Sequence, residues 1–414
     1  MNKYIKWIGC IPFTMISISW VNLYAQSIDF QQSQSGTDWK TILDSAKRVH
    51  KLVFVDVYTD WCGPCKLMDD EVFTRNEVSR FFNDHFISYK LDAEKGEGPA
   101  LKTTYGVKVF PTYLFVDPSS GTLVHKSTSR QTPEVFLFTG RSALNPELRS
   151  VWMEDQYLKG AIDKKLLKNY AAYLSSNYQH EKLDTITQQY LHRPEINLTD
   201  SLAWHFFVAY QQSSASPEFA YLLQHRQALN KQYGNKNVDA KIASAFETDV
   251  QGLVYQGIFR ENEFNQPAYD SLMSVIAKLE FAGKDWLLNK TNVLNEFIQK
   301  KYSSAADLAD QMPTLQGINE KDLLNFYGSL LFLSRNNNDP IWIGRALKYA
   351  RYIAYNDLDR RSQAEIHYNY ASLLEKYFRL TMSSNDVAGY LKTAPANGVK
   401  DYTLRSPTLK PKHR

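Results

Sequence analysis

Two kinds of hydrophobic pattern divide the chain. Between Ser27 and about Leu144, short apolar runs alternate with stretches of helical spacing. Lys51-Leu52-Val53-Phe54-Val55-Asp56-Val57-Tyr58 is almost continuously apolar, as in a strand buried on both faces. Phe86–Asp92 and Pro111–Asp117 read as two more strands. The turn residues Pro118 to Gly121 lead into a fourth at Thr122–His125. Helical spacing lies between them: Trp39, Ile42, Leu43 and Ala46, then Leu67 to Phe82 as one pattern, then Ala100 to Tyr105. Thr132-Pro133-Glu134 opens the last helix, with Thr132 as N-cap and Pro133 at the first helical position. Strands separated by helices predict βαβ units in an α/β layer.

Beyond Pro146 the pattern is helical. Trp342, Ala346, Tyr349, Ala350 and Ile353 share one helix face; Ala364, His367, Tyr368, Ala371, Leu374 and Phe378 share another. Pro194, Pro217, Pro267, Pro313 and Pro340 punctuate what reads as about ten helices over residues 150–393. The pair from Pro340 to Leu380 resembles a tetratricopeptide-type hairpin, although no strict period of about 34 residues runs through the region. His205 and His367 lie in apolar helical patterns with no acid or second histidine at ligand spacing, so they read as packing residues. Asn197-Leu198-Thr199 is a glycosylation sequon by pattern alone. The tail from Val399, with Arg405, Lys410, Lys412, His413 and Arg414, reads as a basic, solvated terminus. The expected segments are therefore 1–25, 26–146, 147–395 and 396–414.

The first of these has the three parts of a secretory leader. Lys3 and Lys6 charge its start, Trp7 to Val21 is mostly apolar, and small Ala25 precedes polar Gln26. Leu23 is larger than the residue usual near a cleavage point. A retained membrane anchor is the competing reading, but the run is short of the ~20 residues a spanning helix needs. Cys10 follows Ile8-Gly9 as a lipid-bearing cysteine could, yet it comes before the apolar run is complete. Export to a bacterial periplasm or cell envelope is the expectation.

Composition narrows the function. Of 414 residues, 43% are hydrophobic and 22% charged, which excludes wholesale disorder. Length alone allows two or three domains at about 150 residues each. A net charge of +4 is too small to argue for nucleic acid as partner. Three cysteines exclude a disulfide-stapled scaffold and any four-cysteine metal or iron–sulfur site. Removal of a leader would discard Cys10 and leave Cys62 and Cys65.

The chemistry concentrates in Trp61-Cys62-Gly63-Pro64-Cys65-Lys66. This segment leaves a buried strand and opens a helix, where free amides and the helix dipole stabilise a thiolate on Cys62. Cys65, one turn on, is near enough to close a small disulfide ring. Cys62 is then the attacking thiol and Cys65 the thiol that resolves a mixed disulfide. Pro64 presets the first helical turn, and Gly63 adds no side chain against an incoming partner. Zinc is the other use of such a pair, but it needs further ligands and no cysteine remains to supply them.

The hexapeptide matches the active-site motif of the thioredoxin family residue for residue. In that resemblance, Asp56, six residues before Cys62, stands where the family has a buried acid that assists proton transfer. Lys90 matches the lysine that approaches this acid. Phe110-Pro111-Thr112 matches the loop whose cis-proline faces the disulfide and orients substrate, with Trp61 completing the docking surface. The likeness covers about 120 residues and looks closest to secreted disulfide reductases. Tyr58 stands where small thioredoxins have tryptophan, Phe110 replaces a smaller aliphatic residue, and Glu94-Lys95-Gly96-Glu97-Gly98 lengthens the path to Pro111.

The resemblance implies an α/β thioredoxin fold followed by an all-α helical domain. It implies a thiol–disulfide oxidoreductase with no cofactor beyond the Cys62–Cys65 pair. Its partners would be disulfide- or thiol-bearing proteins and a membrane-bound electron donor. Oxidation or isomerisation of disulfides is the alternative direction. A second alternative makes the helical half the working part, with the thioredoxin-like segment as a docking module. Nothing after Pro146 carries a catalytic signature, so the partner of the helical domain is not specified by its residues.

Overall fold

The computed structural model describes residues 27–32, 38–260, 263–315, 318–356 and 360–381. The expected leader, Cys10 and the basic tail lie outside these residues, as does the side chain of His367. The chain divides into two compact units, Met1–Pro194 and Glu195–Arg414. The change of pattern near Pro146 falls within the first.

That unit begins with β1 (Phe30–Gln32), α1 (Trp39–Arg48), β2 (Leu52–Tyr58), α2 (Gly63–Glu71) and α3 (Asn76–His85). It continues through β3 (Phe86–Asp92), α4 (Gly98–Thr104), β4 (Thr112–Val116), β5 (Leu123–Thr128) and α5 (Pro133–Leu144). The strands form one sheet in the order β1-β3-β2-β4-β5. The first three run parallel, whereas β4 is antiparallel to β2 and to β5. The apolar run of β2 is explained by its central place, with Val53 to Val57 all buried. Its alternate side chains serve two cores. Phe54 joins Phe73, Phe82, Tyr113, Phe115 and Phe136 on one face; Val53, Val55 and Val57 join Ile42, Tyr89 and Leu114 on the other. Phe82 and Phe136 stack at 4.4 Å. Gly140 on α5 leaves room for the neighbouring rings of α3, since a Cβ there would lie 2.7 Å from the Phe81 ring and 3.0 Å from that of Phe82.

Two elements depart from the sequence pattern. The stretch from Leu67 to Phe82 is two helices, broken at Val72–Arg75, with Val72 and Phe73 buried in the break. The break has a structural use: the Phe73 carbonyl accepts from the Ile28 amide at 3.1 Å, guiding the chain into β1. Strand β1 is only three residues long and lacks an apolar run; pairing with Ser88–Lys90 forms it.

Three helices complete the first unit: α6 (Ser150–Leu158), α7 (Lys164–Ser176) and α8 (His180–Leu191). The first two meet edge strand β5, and α8 packs on α7. The β5 amide of Lys126 donates to Ser150 Oγ at 3.0 Å, and that of Thr128 donates to Asn177 Oδ1 at 2.9 Å. Buried His125 accepts the Ser150 amide at Nδ1, 3.0 Å away. Burial, helped by nearby Arg149, pushes the His125 pKa down to about 3, so the ring is neutral and able to accept. An otherwise open sheet edge is thereby closed to strand addition.

The second unit is all helix among its described residues. It comprises α9 (Ser201–Tyr210), α10 (Pro217–Gln224), α11 (Arg226–Tyr233), α12 (Asn235–Phe259), α13 (Gln266–Lys278), α14 (Lys284–Ile298), α15 (Tyr302–Gln311), α16 (Glu320–Ser334), α17 (Pro340–Asn356) and α18 (Arg360–Thr381). From α6 onward there are thirteen described helices rather than about ten. Proline punctuation misses ends made by positive-φ Gly160, Gly234 and Gly283, or by Tyr178 and Lys300 in the left-handed region. One core surrounds Phe207, Phe219 and Phe246; another surrounds Phe326, Tyr327, Trp342 and Tyr349. Asn197-Leu198-Thr199 is a turn in which Asn197 Oδ1 accepts from both the amide and the hydroxyl of Thr199. His205 lies beside Tyr210, 6.0 Å between ring centres.

Candidate active site

Strand β2 ends at Tyr58, and Thr59-Asp60-Trp61 turns the chain into α2. Cys62 is the N-cap of that helix, its Sγ 3.2 Å from the Cys65 amide that donates to it. Cys62 and Cys65 form a disulfide with Cα atoms 5.3 Å apart. Each cysteine is only 3% exposed. On reduction, the same amide and the positive end of the helix stabilise a Cys62 thiolate. Gly63 and Pro64 are exposed beside the sulfurs, and a Cβ on Gly63 would meet nothing within 4 Å. The approach over this turn is open.

On the Phe54 face of β2, the strand that leads into this turn, lies Asp56. It pairs in register with Lys90 of β3 and Tyr113 of β4. It is 1% exposed, and its Oδ1 has no hydrogen-bond partner. Burial pushes its pKa up to about 7, against the pull of Lys90 and with a further push from Asp69. The Lys90 ammonium is 3.8 Å from Asp56 Oδ2 but bonds directly to Asp69 Oδ1 on α2. It also lies 5.1 Å from the Tyr58 ring centre, 5.4 Å from Phe30 and 5.9 Å from Phe73. A carboxyl that exchanges its proton near neutral pH thus sits on the strand leading to the dithiol.

The rim is formed by three loops. Trp61 is 67% exposed, and its indole nitrogen donates to the Glu94 carboxylate at 3.1 Å. Its ring meets Phe110 edge-on, 6.0 Å between centres, and the Lys102 ammonium lies 5.6 Å from the centre of the Phe110 ring. The Phe110–Pro111 peptide is cis. Pro111 and Thr112 are buried, and the Thr112 hydroxyl donates to the Val109 carbonyl at 2.6 Å. The segment from Glu94 to Gly98 is pinned at both ends. Glu94 donates its amide to Asp92 Oδ1 at 3.0 Å, and a Cβ on Gly98 would fall 1.8 Å from the Asp92 carbonyl oxygen. Only glycine fits there.

The ten residues singled out from the sequence all belong to this first unit. Cys62, Gly63, Pro64 and Cys65 form the turn, Asp56 and Lys90 face each other on adjacent strands, and Trp61, Phe110, Pro111 and Thr112 belong to the rim. The family model described as Thioredoxin-like matches residues 34–118. Thioredoxin H4 of Arabidopsis thaliana is 31% identical over 88 residues, 21% of this chain and 68% of that protein. The chain belongs to the thioredoxin-like family. The thiol:disulfide interchange protein DsbD of Pseudomonas fluorescens is 28% identical over 107 residues, 26% of this chain and 18% of the relative. Among solved structures, that of a candidate disulphide isomerase from Bacteroides thetaiotaomicron is 35% identical. It covers 30% of this chain and 97% of that one, with a TM-score of 0.27. The thioredoxin-like unit is a thiol–disulfide oxidoreductase whose redox pair is Cys62–Cys65.

Two polar residues at this thioredoxin-like site escaped sequence reasoning, Asp69 and Glu94. Asp69 lies one helical turn beyond Cys65, a spacing that could have drawn attention to it. Glu94 belongs to the lengthened loop, and only the folded chain brings it to Trp61. Among the described residues no group of three His, Cys, Asp or Glu side chains could hold a metal.

Proposed function

We propose that the protein is an exported disulfide reductase of a bacterial cell envelope. The observation that carries this reading is the Cys62–Cys65 pair at a helix N-terminus, with a buried carboxyl of pKa near 7 on the strand that leads into it. In the reduced protein, the Cys62 thiolate attacks a substrate disulfide. That S–S bond breaks, one substrate sulfur leaves as thiolate, and a mixed disulfide forms at Cys62. Asp56 then takes the proton of Cys65, and the Cys65 thiolate attacks Cys62 Sγ. This closes Cys62–Cys65 and releases the second substrate sulfur. Two electrons pass from the dithiol to the substrate. Trp61, Phe110, Pro111 and Thr112 form the docking surface in this reading, and Lys90 supplies the positive charge near Asp56.

The Gly63-Pro64 dipeptide is that of reducing thioredoxins, whose potential is about −270 mV. An oxidising compartment would keep such a pair oxidised, so a membrane-bound dithiol donor must return the electrons. Lys3, Lys6 and the apolar run to Val21 support export, and no further cofactor is required. The helical unit would bind partners or substrates.

A Cys65→Ala variant in the native host should accumulate reducible mixed disulfides through Cys62. The wild-type protein should reduce insulin, and it should lie in the envelope fraction. A potential of about −120 to −180 mV would sink the reductase direction and assign oxidation or isomerisation. Absence of both adducts and insulin reduction would make the helical unit the working part.

A further inference from the structure

We propose that Asp69 is a positioning residue for mixed-disulfide resolution: its carboxylate holds the Lys90 ammonium among Phe30, Tyr58 and Phe73 and out of direct pairing with Asp56. The inference rests on the reading of Asp56 as the proton acceptor for Cys65. It extends that reading to the residue that sets the strength of the acceptor.

Lys90 has two carboxylates within reach and uses them unequally. It bonds directly to Asp69, whereas 3.8 Å separates it from Asp56, beyond hydrogen-bond distance. Three ring faces surround the ammonium on its other sides, at 5.1 to 5.9 Å. The Lys90 side chain is 15% exposed and that of Asp69 37%, against 2% for Asp56, so exposure rises from the buried carboxyl through the ammonium to Asp69. Strand register alone places Lys90 directly opposite Asp56. Asp69 is what draws the ammonium toward α2.

The groups facing Asp56 are few. Lys90 comes from β3, Tyr113 from β4, Tyr58 from its own strand, and Asp69 from α2. The Tyr113 hydroxyl is buried without a hydrogen-bond partner, and Asp56 Oδ1 likewise has none. Burial is the largest influence on the charge of Asp56, and among its charged neighbours the strongest is Lys90, which opposes burial. A free Lys90 would close on Asp56, keep its carboxylate ionised to lower pH and make it a weaker base. Asp69 opposes this twice, by holding the cation and by adding a second negative charge.

The test is the titration of Asp56 in the full chain, followed through its carboxyl carbon by NMR, with the pH profile of mixed-disulfide resolution beside it. In Asp69→Asn the Asp56 midpoint should fall by at least about one pH unit, tenfold in proton affinity. The acid limb of the resolution profile should move down with it. Asp69→Glu should keep the wild-type midpoint. Adding Lys90→Met to Asp69→Asn should bring the midpoint back up, an effect that simple loosening of the fold would not produce. A midpoint unmoved in Asp69→Asn, while Asp56→Asn still slows resolution, overturns the role of Asp69 and leaves the reductase chemistry standing. If Asp56→Asn resolves at the wild-type rate, Asp56 is not the proton acceptor, and the NMR midpoint still decides whether Asp69 governs Lys90.

Discussion

At the scale of the residue, Asp56 ties stability to chemistry. Its pKa in the folded chain is about 7, against 3.8 for an ordinary aspartate, with burial as the main cause. Between those values the folded protein keeps a proton that the unfolded chain has released. The contribution of this group is thus fully present below pH 4 and is lost as pH rises through 7. Asp56→Asn should leave the oxidised protein about equally stable at pH 4. At pH 8 it should be more stable, by up to about 4 kcal/mol. Urea unfolding at the two pH values checks this, and equal gains at both would sink it. The rim gives a second test. Glu94→Ala removes the acceptor of the Trp61 indole, so it should raise KM for a protein substrate severalfold and leave kcat nearly unchanged. The dithiol and Asp56 were legible in the sequence because one strand, one loop and one helix start carry them all. Asp69 and Glu94 were not, since their partners Lys90 and Trp61 lie 21 and 33 residues away and meet them only through the fold.

At the scale of the element, legibility followed burial. The inner strands β2 and β4, buried over Val53–Val57 and Thr112–Val116, announce themselves as apolar runs, while β1 exists through its register with β3. The split between α2 and α3 was hidden because apolar Val72 and Phe73 continue a helical pattern through the break. Edge strand β5 offers the clearest test. Its outward amides are met by Ser150 and Asn177, side chains that no pattern in β5 foretells. Ser150→Ala and Asn177→Ala should each cost about 1–2 kcal/mol, because each leaves a strand amide without its acceptor. Hydrogen exchange should quicken at Lys126 in the first variant and at Thr128 in the second, and not at the central strands. Uniform quickening across the sheet would mean that the two side chains act on global stability only.

At the scale of the whole molecule, the point where the sequence pattern changes and the point where the chain divides are different questions. The pattern turns helical after Pro146, because the last strand lies behind it and every later element must bury a helical face. The first compact unit nevertheless runs on to Pro194. Helices α6 and α7 belong to it because they meet β5, place the Ser150 amide on neutral His125 and set Tyr173 tilted beside the His125 ring at 5.9 Å, and α8 packs on α7. A chain ending at residue 146 would strip the partners from these groups and leave an open sheet edge able to pair with a second copy. Residues 27–194 should therefore fold cooperatively and reduce insulin like the full chain, since every proposed active-site residue lies within them. Residues 27–146 should unfold at lower urea concentration and associate on concentration, read by circular dichroism and size-exclusion chromatography. Equal urea midpoints for the two fragments would show that α6 to α8 are an appendage. If 27–194 is active but traps fewer mixed disulfides than the full chain when both carry Cys65→Ala, the chemistry resides in the first unit and the choice of substrate in the second.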